Sequence, residues 1–297
     1  MTLGIEQTMS EDSVEEFKTK RKRCGLVDGL DMSDPDSYLR REPLVQKAID
    51  LARQSGLLVV SSPPGTGKTS LIQLAKKNLE DSTPDDGRGA CRGFILRPSR
   101  PNKPGFDLFD YVKSKTGVSY EEKSLKSELQ AFSEIWLFFD DAQRLYGDQF
   151  NEFWEDVAKT RATISFGHRT KVIVVVSATY FLTTKTDSPV VLQVAPRITM
   201  NDLLLSRKEA GDLFNLRSLY PSWQDYEAAL FYLTNGTAAA FAIGLDLIAD
   251  MSLKVDYKAG SLSERAAMEE LIESGTFWDV NVYWPQAQAT SPSNQRK

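Results

Sequence analysis

Leu58-Val59-Val60-Ser61-Ser62-Pro63-Pro64-Gly65-Thr66-Gly67-Lys68-Thr69-Ser70-Leu71 is the stretch that decides the fold. An apolar run from Leu57 to Val60 leads into a turn rich in glycine and proline, then a Lys-Thr pair, then an amphipathic segment. That order reads as strand, phosphate loop, helix. Gly65 and Gly67 carry no Cβ, so backbone N–H groups can turn toward an anion. A helix starting near Lys68 aims the positive end of its dipole at the same point. The Lys68 ammonium can reach the β- and γ-phosphates of a nucleotide, and the Thr69 hydroxyl can hold Mg2+. The pattern G-x-x-x-x-G-K-[ST] asks for glycine first, and this chain has the small residue Ser62 there. The loop from Ser62 to Ser70 is the predicted nucleotide contact.

Outward from the loop, Leu71, Ile72, Leu74, Ala75 and Leu79 continue the helix. Before it, Leu44, Val45, Ala48, Ile49 and Ala52 share one face of a helix that follows Pro43 and ends at Gly56. Downstream, apolar runs at 94–96, 135–139 and 172–176 read as buried strands, and Val190 to Val194 as a shorter one. Short helices are predicted at 106–115 and 124–133, and another around Phe150, Phe153, Trp154 and Val157. After Met200 the pattern is all helical. Ser206 with Glu209 and Ser222 with Asp225 read as capping boxes, and Thr237 as the cap of a helix to Asp250. Ser261 with Glu264 starts a last helix. Strands alternating with helices, then a helical end, predict an α/β fold: a three-layer parallel-sheet core with a C-terminal helical lid. The expected divisions are a disordered tail over 1–33, the core over 34–200, the lid over 201–285 and a second disordered tail over 286–297.

A carboxylate pair supplies the second chemical signal. Ile135-Trp136-Leu137-Phe138-Phe139 runs into Asp140-Asp141-Ala142-Gln143. The C-terminal end of a buried parallel strand is where such sheets bind ligands. Beside a phosphate loop, Asp140 would hold Mg2+ together with Thr69, and Asp141 would position the attacking water. Glutamate is usual in that second role; aspartate is shorter by one methylene. A weaker signal is Ser177-Ala178-Thr179 at the end of the 172–176 strand, where either hydroxyl could hydrogen-bond the γ-phosphate. Arg144 and Arg197 are candidates for an arginine acting in trans, which would require oligomers.

Composition narrows the classes. The 297 residues carry a net charge of −5, against a wholly basic nucleic-acid binder. Two isolated cysteines, Cys24 and Cys91, form no disulfide framework, and one histidine, His168, argues against a His-based metal site or a Ser-His-Asp triad. No apolar stretch approaches membrane-spanning length, and the polar, acidic first residues predict no signal peptide. The run Lys18 to Arg23 and the segment holding Arg97, Arg100 and Lys103 are basic features that suit nuclear import or DNA contact.

Together these residues resemble the AAA+ and signal-transducing NTPases of the phosphate-loop class. Arg41-Glu42 looks like the pair that precedes their nucleotide site, where the segment lies near the adenine. Asp140-Asp141-Ala142-Gln143 is similar to their Asp-Glu-Ala-Gln box, and Leu203 to Asp250 to their lid. The lid's usual Gly-x-Arg is replaced by Gly236-Thr237-Ala238. The resemblance implies ATP and Mg2+ as ligands and ATP hydrolysis, with a nucleotide-dependent binding switch of little turnover as the alternative. ATP over GTP rests on the resemblance, as no Asn-Lys-x-Asp motif is present. A narrower resemblance covers roughly residues 38–250. The Arg-Glu-Pro-Leu, phosphate-loop, Asp-Asp-Ala-Gln-Arg-Leu-Tyr and Ser-Ala-Thr-Tyr segments look like the NTPase module of Crinkler-type effectors. That family implies a secreted effector acting in a host nucleus on a protein or DNA. The chain departs from it at both ends: it has no Leu-Phe-Leu-Ala-Lys header and too little sequence after the lid for a nuclease-like domain.

Overall fold

The computed structural model describes residues 29–34, 37–82, 90–98, 101, 104–161, 170–179, 189–216 and 224–254. The basic run at 18–23, Cys24, Arg100, Lys103, His168, Ser222, the helix expected from Ser261 and the tail at 286–297 lie outside them. The first helix, α1 (Glu42–Ser55), has proline in its first turn and buries Val45, Ala48, Ile49 and Ala52. Gly56 ends it at φ 73°, a left-handed conformation that glycine adopts without a Cβ clash, with its N–H bonded to the Ala52 carbonyl. Strand β1 (Leu57–Ser61) is wholly buried and feeds the loop into α2 (Lys68–Asp81).

Four further strands join β1: β2 (Cys91–Leu96), β5 (Glu134–Phe139), β6 (Lys171–Ala178) and β7 (Arg197–Thr199). Helix α3 (Leu108–Thr116), capped by the Asp107 carboxylate, and the small hairpin β3 (Val118–Ser119) and β4 (Ser124–Leu125) connect β2 to β5. Helix α4 (Asn151–Arg161) and α5 (Val190–Val194) lie on either side of β6 in sequence. All pairings in the sheet are parallel, in the order β2-β5-β6-β1-β7. The chain leaves β1 for the far edge at β2, works back through β5 and β6, and then crosses to β7. The crossover direction therefore reverses at β1, and in such sheets the crevice beyond the strand ends at that point takes the ligand.

Alternation along the strands builds two cores. Leu58, Val60, Trp136, Phe138, Ile173 and Val175 face α1 and α2. Leu57, Val59, Ile135, Leu137, Phe139, Val174 and Val176 face α3 and an aromatic cluster around Phe153 and Trp154. The Trp154 indole N–H donates to the Leu145 carbonyl, so burial leaves it satisfied. The three-layer α/β fold is thus as expected.

Some details differ. Val190 to Val194 is helical, with Leu192 alone buried and Val190 and Val194 exposed. A short apolar run carries no periodicity to separate helix from strand, and the open edge of β1 is filled instead by β7 through Val60 and Ile198. The helix expected at 124–133 is strand β4 followed by a 3-10 turn over Ser127–Ala131.

Beyond the sheet, α6 (Met200–Leu203), α7 (Arg207–Leu216), α8 (Gln224–Thr234) and α9 (Ala238–Lys254) form the helical end. It has its own core of Leu205, Ala210, Leu213, Phe214, Leu230, Phe241 and Leu245. The capping box at Ser206 and Glu209 is present: each backbone N–H donates to the other's side chain. Helix α9 starts after Thr237 as the sequence predicts and runs to Lys254, one turn past Asp250.

Candidate nucleotide-binding site

Strand alternation places the site. The positions that follow Leu58 and Val60, Trp136 and Phe138, and Ile173 and Val175 on the α2 face are Ser62, Asp140 and Ser177. On β2 the corresponding row, through Cys91 and Ile95, leads to Arg97. Register aligns three of them, because Leu96 pairs Phe139 and Phe139 pairs Val176. Arg97, Asp140 and Ser177 therefore form a row across the strand ends, and Ser62 lies on the same face two residues beyond Val60, the partner of Ser177.

The phosphate loop supplies the other wall. Gly65 and Gly67 have φ of 75° and 97°, so both glycines occupy backbone conformations that side-chain-bearing residues avoid. Thr66 bonds its hydroxyl to the Pro63 carbonyl and braces the turn. Lys68 is buried, with Nζ donating to the carbonyls of Ser62 at 2.9 Å and Pro63 at 2.8 Å. Pro64 and Gly65 are exposed at the tip, and Ser70 is half-buried on α2. The Thr69 hydroxyl lies 3.2 Å and 3.1 Å from the two carboxylate oxygens of Asp140, itself 2% exposed. Residues 71 positions apart thus meet at the loop exit.

Asp140 has a second partner, one that no motif in the sequence suggests. The Arg97 guanidinium donates to its Oδ2 from Nε at 2.9 Å and sits 2.8 Å away through Nη2. In the sequence Arg97 looks like part of a basic, proline-spaced segment; only the β2 register shows that it ends a strand beside Asp140. Asp141 takes φ 56°, strained for a non-glycine residue, and its carboxylate is half-exposed. Gln143 donates to it at 3.4 Å, and the Arg144 guanidinium is 3.9 Å away. The same Gln143 accepts from the Thr179 N–H at 3.3 Å, linking Asp141 to the end of β6. Of the two candidate hydroxyls on β6, Ser177 is fully buried and its Oγ has no hydrogen-bond partner among the described residues.

The helical end closes over the loop. The N–H of Ala239, in the first turn of α9, donates to the Gly65 carbonyl at 3.0 Å. A Cβ placed on Gly65 would lie 3.4 Å from Ala239 Cβ. Thr237, 5% exposed, also leaves its hydroxyl without a partner among the described residues. Arg41, at φ 46°, reaches across to this unit. It donates to Glu209 at 2.8 Å and to the carbonyls of Leu203 and Leu204 at 2.8 Å and 2.9 Å. Glu42 is exposed at the start of α1. Burial works against the charge on Glu209, but hydrogen bonds from Arg41 and Ser206 outweigh it and hold the carboxyl below its ordinary value. Arg197 donates to the carbonyls of Leu192 and Gln193 and closes α5.

The residues present fit a nucleotide and Mg2+. Among the described residues the buried hydroxyls of Ser62, Ser177 and Thr237 have no hydrogen-bond partner, and they belong to the loop, the strand end and the start of α9. Thr69 and Asp140 are hard oxygen donors, and two protein ligands suit an ion that keeps water and phosphate around it. Among the described residues no cluster of three or more His, Cys, Asp or Glu converges, so a cage for a heavier metal is absent there.

Neither a protein-family model nor a curated protein sequence matches the chain. Solved structures do. Drosophila ORC bound to DNA aligns over 92% of this chain and 70% of its own, with TM-score 0.55 at 14% identity. The ORC2 protein of Aeropyrum pernix, solved as ADPNP-ADP complexes, aligns over 82% of this chain and 69% of its own, with TM-score 0.51 at 13% identity. At these identities the likeness is one of fold alone, a parallel sheet flanked by helices.

Proposed function

We propose that this chain binds ATP with Mg2+ between the phosphate loop and the helical lid and hydrolyses it to ADP and phosphate. The observation that carries the reading is the meeting of Thr69 with the buried Asp140 carboxylate at the N-terminus of α2, beside the buried ammonium of Lys68. Phosphoryl transfer needs mainly positioning and charge stabilisation, which these groups supply. Loop N–H groups and the α2 dipole take the phosphates, and Lys68 exchanges its loop carbonyls for phosphate oxygen. Asp141 orients the attacking water, Gln143 sets its carboxylate, and the Ser177 hydroxyl bonds the γ-phosphate. Mg2+, held by Thr69 and Asp140, would neutralise charge on the β- and γ-phosphates.

Phosphate release by purified protein tests this. Wild type should exceed Lys68→Ala and Asp140→Ala by about 10²-fold. A second reading, a nucleotide-dependent switch with slow turnover, is favoured by the half-exposed, strained Asp141. Tight Mg-ATP binding without phosphate release would select it, and no nucleotide binding at all would remove both. The narrower assignment, a Crinkler-type module acting in a host nucleus on a protein or DNA, rests on the motifs at 41–44, 61–71, 140–146 and 177–180. For the DNA arm, a salt titration should show binding that weakens steeply as salt rises.

A further inference from the structure

Asp140 already holds a cation. Its carboxylate is almost wholly buried, and both Nε and Nη2 of Arg97 lie within 3 Å of Oδ2, the oxygen that Thr69 also approaches. A carboxylate oxygen has room for few partners, and here they are taken by a guanidinium fork and a hydroxyl. A divalent ion at Thr69 and Asp140 would compete for lone pairs on Oδ2 and, on either oxygen, would sit against the positive charge of Arg97. The Arg97 side chain is 40% exposed, so part of it reaches solvent beside the strand ends. A polyphosphate there offers the guanidinium a second anionic partner with bidentate geometry.

We propose that Arg97 is a resident cation that guards the metal position. It keeps Asp140 neutralised while the crevice lacks nucleotide, and it yields Asp140 to a divalent ion only when phosphate oxygens draw it away. Metal loading is therefore conditional on nucleotide, and the chain does not take Mg2+ ahead of it. Arg97 acts through Asp140 as a positioning residue. The inference rests on the nucleotide-site reading for its second half only; exclusion of metal from the nucleotide-free protein follows from the ion pair alone.

Mn2+ binding, read by electron paramagnetic resonance of the free ion, tests it without any turnover. Nucleotide-free wild type should bind Mn2+ weakly and gain affinity at least about tenfold when ADP is added. Arg97→Gln keeps a donor for Asp140 but removes the charge. It should bind Mn2+ at least about tenfold tighter than wild type without nucleotide, and adding Asp140→Asn should abolish that gain. Arg97→Lys, which keeps the charge, should stay close to wild type. Equal Mn2+ affinity in nucleotide-free wild type and Arg97→Gln would overturn the proposal. So would tight Mn2+ binding by nucleotide-free wild type that Asp140→Asn removes, a result that needs no Arg97 variant to fold. Binding of a fluorescent ADP analogue without metal separates the two readings. If Arg97→Gln gains Mn2+ and no analogue binds, metal exclusion by Arg97 stands and the nucleotide site falls. If the analogue binds and Mn2+ affinity is indifferent to Arg97, the reverse holds.

Discussion

Asp141 carries the turnover reading, and its geometry makes a sharp expectation. Its left-handed backbone and its contact with Gln143 fix where the carboxylate points. Asp141→Ala should lower phosphate release by about 10²-fold in single-turnover assays while ADP affinity stays within twofold or so of wild type. Gln143→Ala should lower turnover in the same direction by a smaller factor, because it frees the carboxylate without removing it. Gly236 is a second residue with no substitute. It sits at φ 71°, and a Cβ there would lie 2.6 Å from the Leu205 carbonyl oxygen. Gly236→Ala should cost on the order of 1–3 kcal/mol in denaturant melts. At this scale the sequence was legible wherever a motif joins residue type to spacing: Lys68, Thr69 and Asp140 all lie where the pattern implies. The contacts of Arg97 with Asp140 and of Gln143 with Thr179 were not legible, because they join residues that follow different strands. An arginine followed by prolines reads as solvated until register puts it beside a buried carboxylate.

Elements show the same division. Helix α1 was readable from its apolar spacing and its closing glycine, whereas Val190–Val194 was not, because five apolar residues suit either a strand or a turn of helix. Besides the Ala239–Gly65 hydrogen bond, two ionic contacts join core to lid: Arg41 to Glu209, and Lys47 to Asp202. For Asp202 too, burial opposes the charge, but hydrogen bonds from Lys47 and Thr199 leave the carboxyl below its usual value. A carboxylate whose folded value is depressed stabilises the fold above its unfolded value, about 4.3 for Glu, and loses that contribution as pH falls through the folded value. Hydrogen-exchange protection across α7–α9 should therefore fall below about pH 4 while the central strands stay protected, and Glu209→Gln should lower lid protection already at neutral pH. Within the core, Trp154→Ala would empty a fully buried site and strand the Leu145 carbonyl. Thermal or denaturant melts should show a loss of about 3–5 kcal/mol.

For the whole molecule, the strand order has consequences beyond where a ligand sits. The phosphate loop hangs from β1, and Asp140 from β5, yet β1 and β5 are not neighbours; β6 lies between them and pairs with both. Until residues 171–178 are in place, no strand pairing joins β1 to β2 and β5, which meet the β1 unit only through side-chain packing on α1 and α2. Residues 57–61 pair with 174–178, and at that sequence separation loop entropy must be overcome before those contacts reward it. On a ribosome, the loop motif would emerge more than a hundred residues before the strand that gives it a partner. On the proposed function, a nascent or half-folded chain displays the loop motif without the strand that completes the site, and added nucleotide should report only on chains that have finished folding.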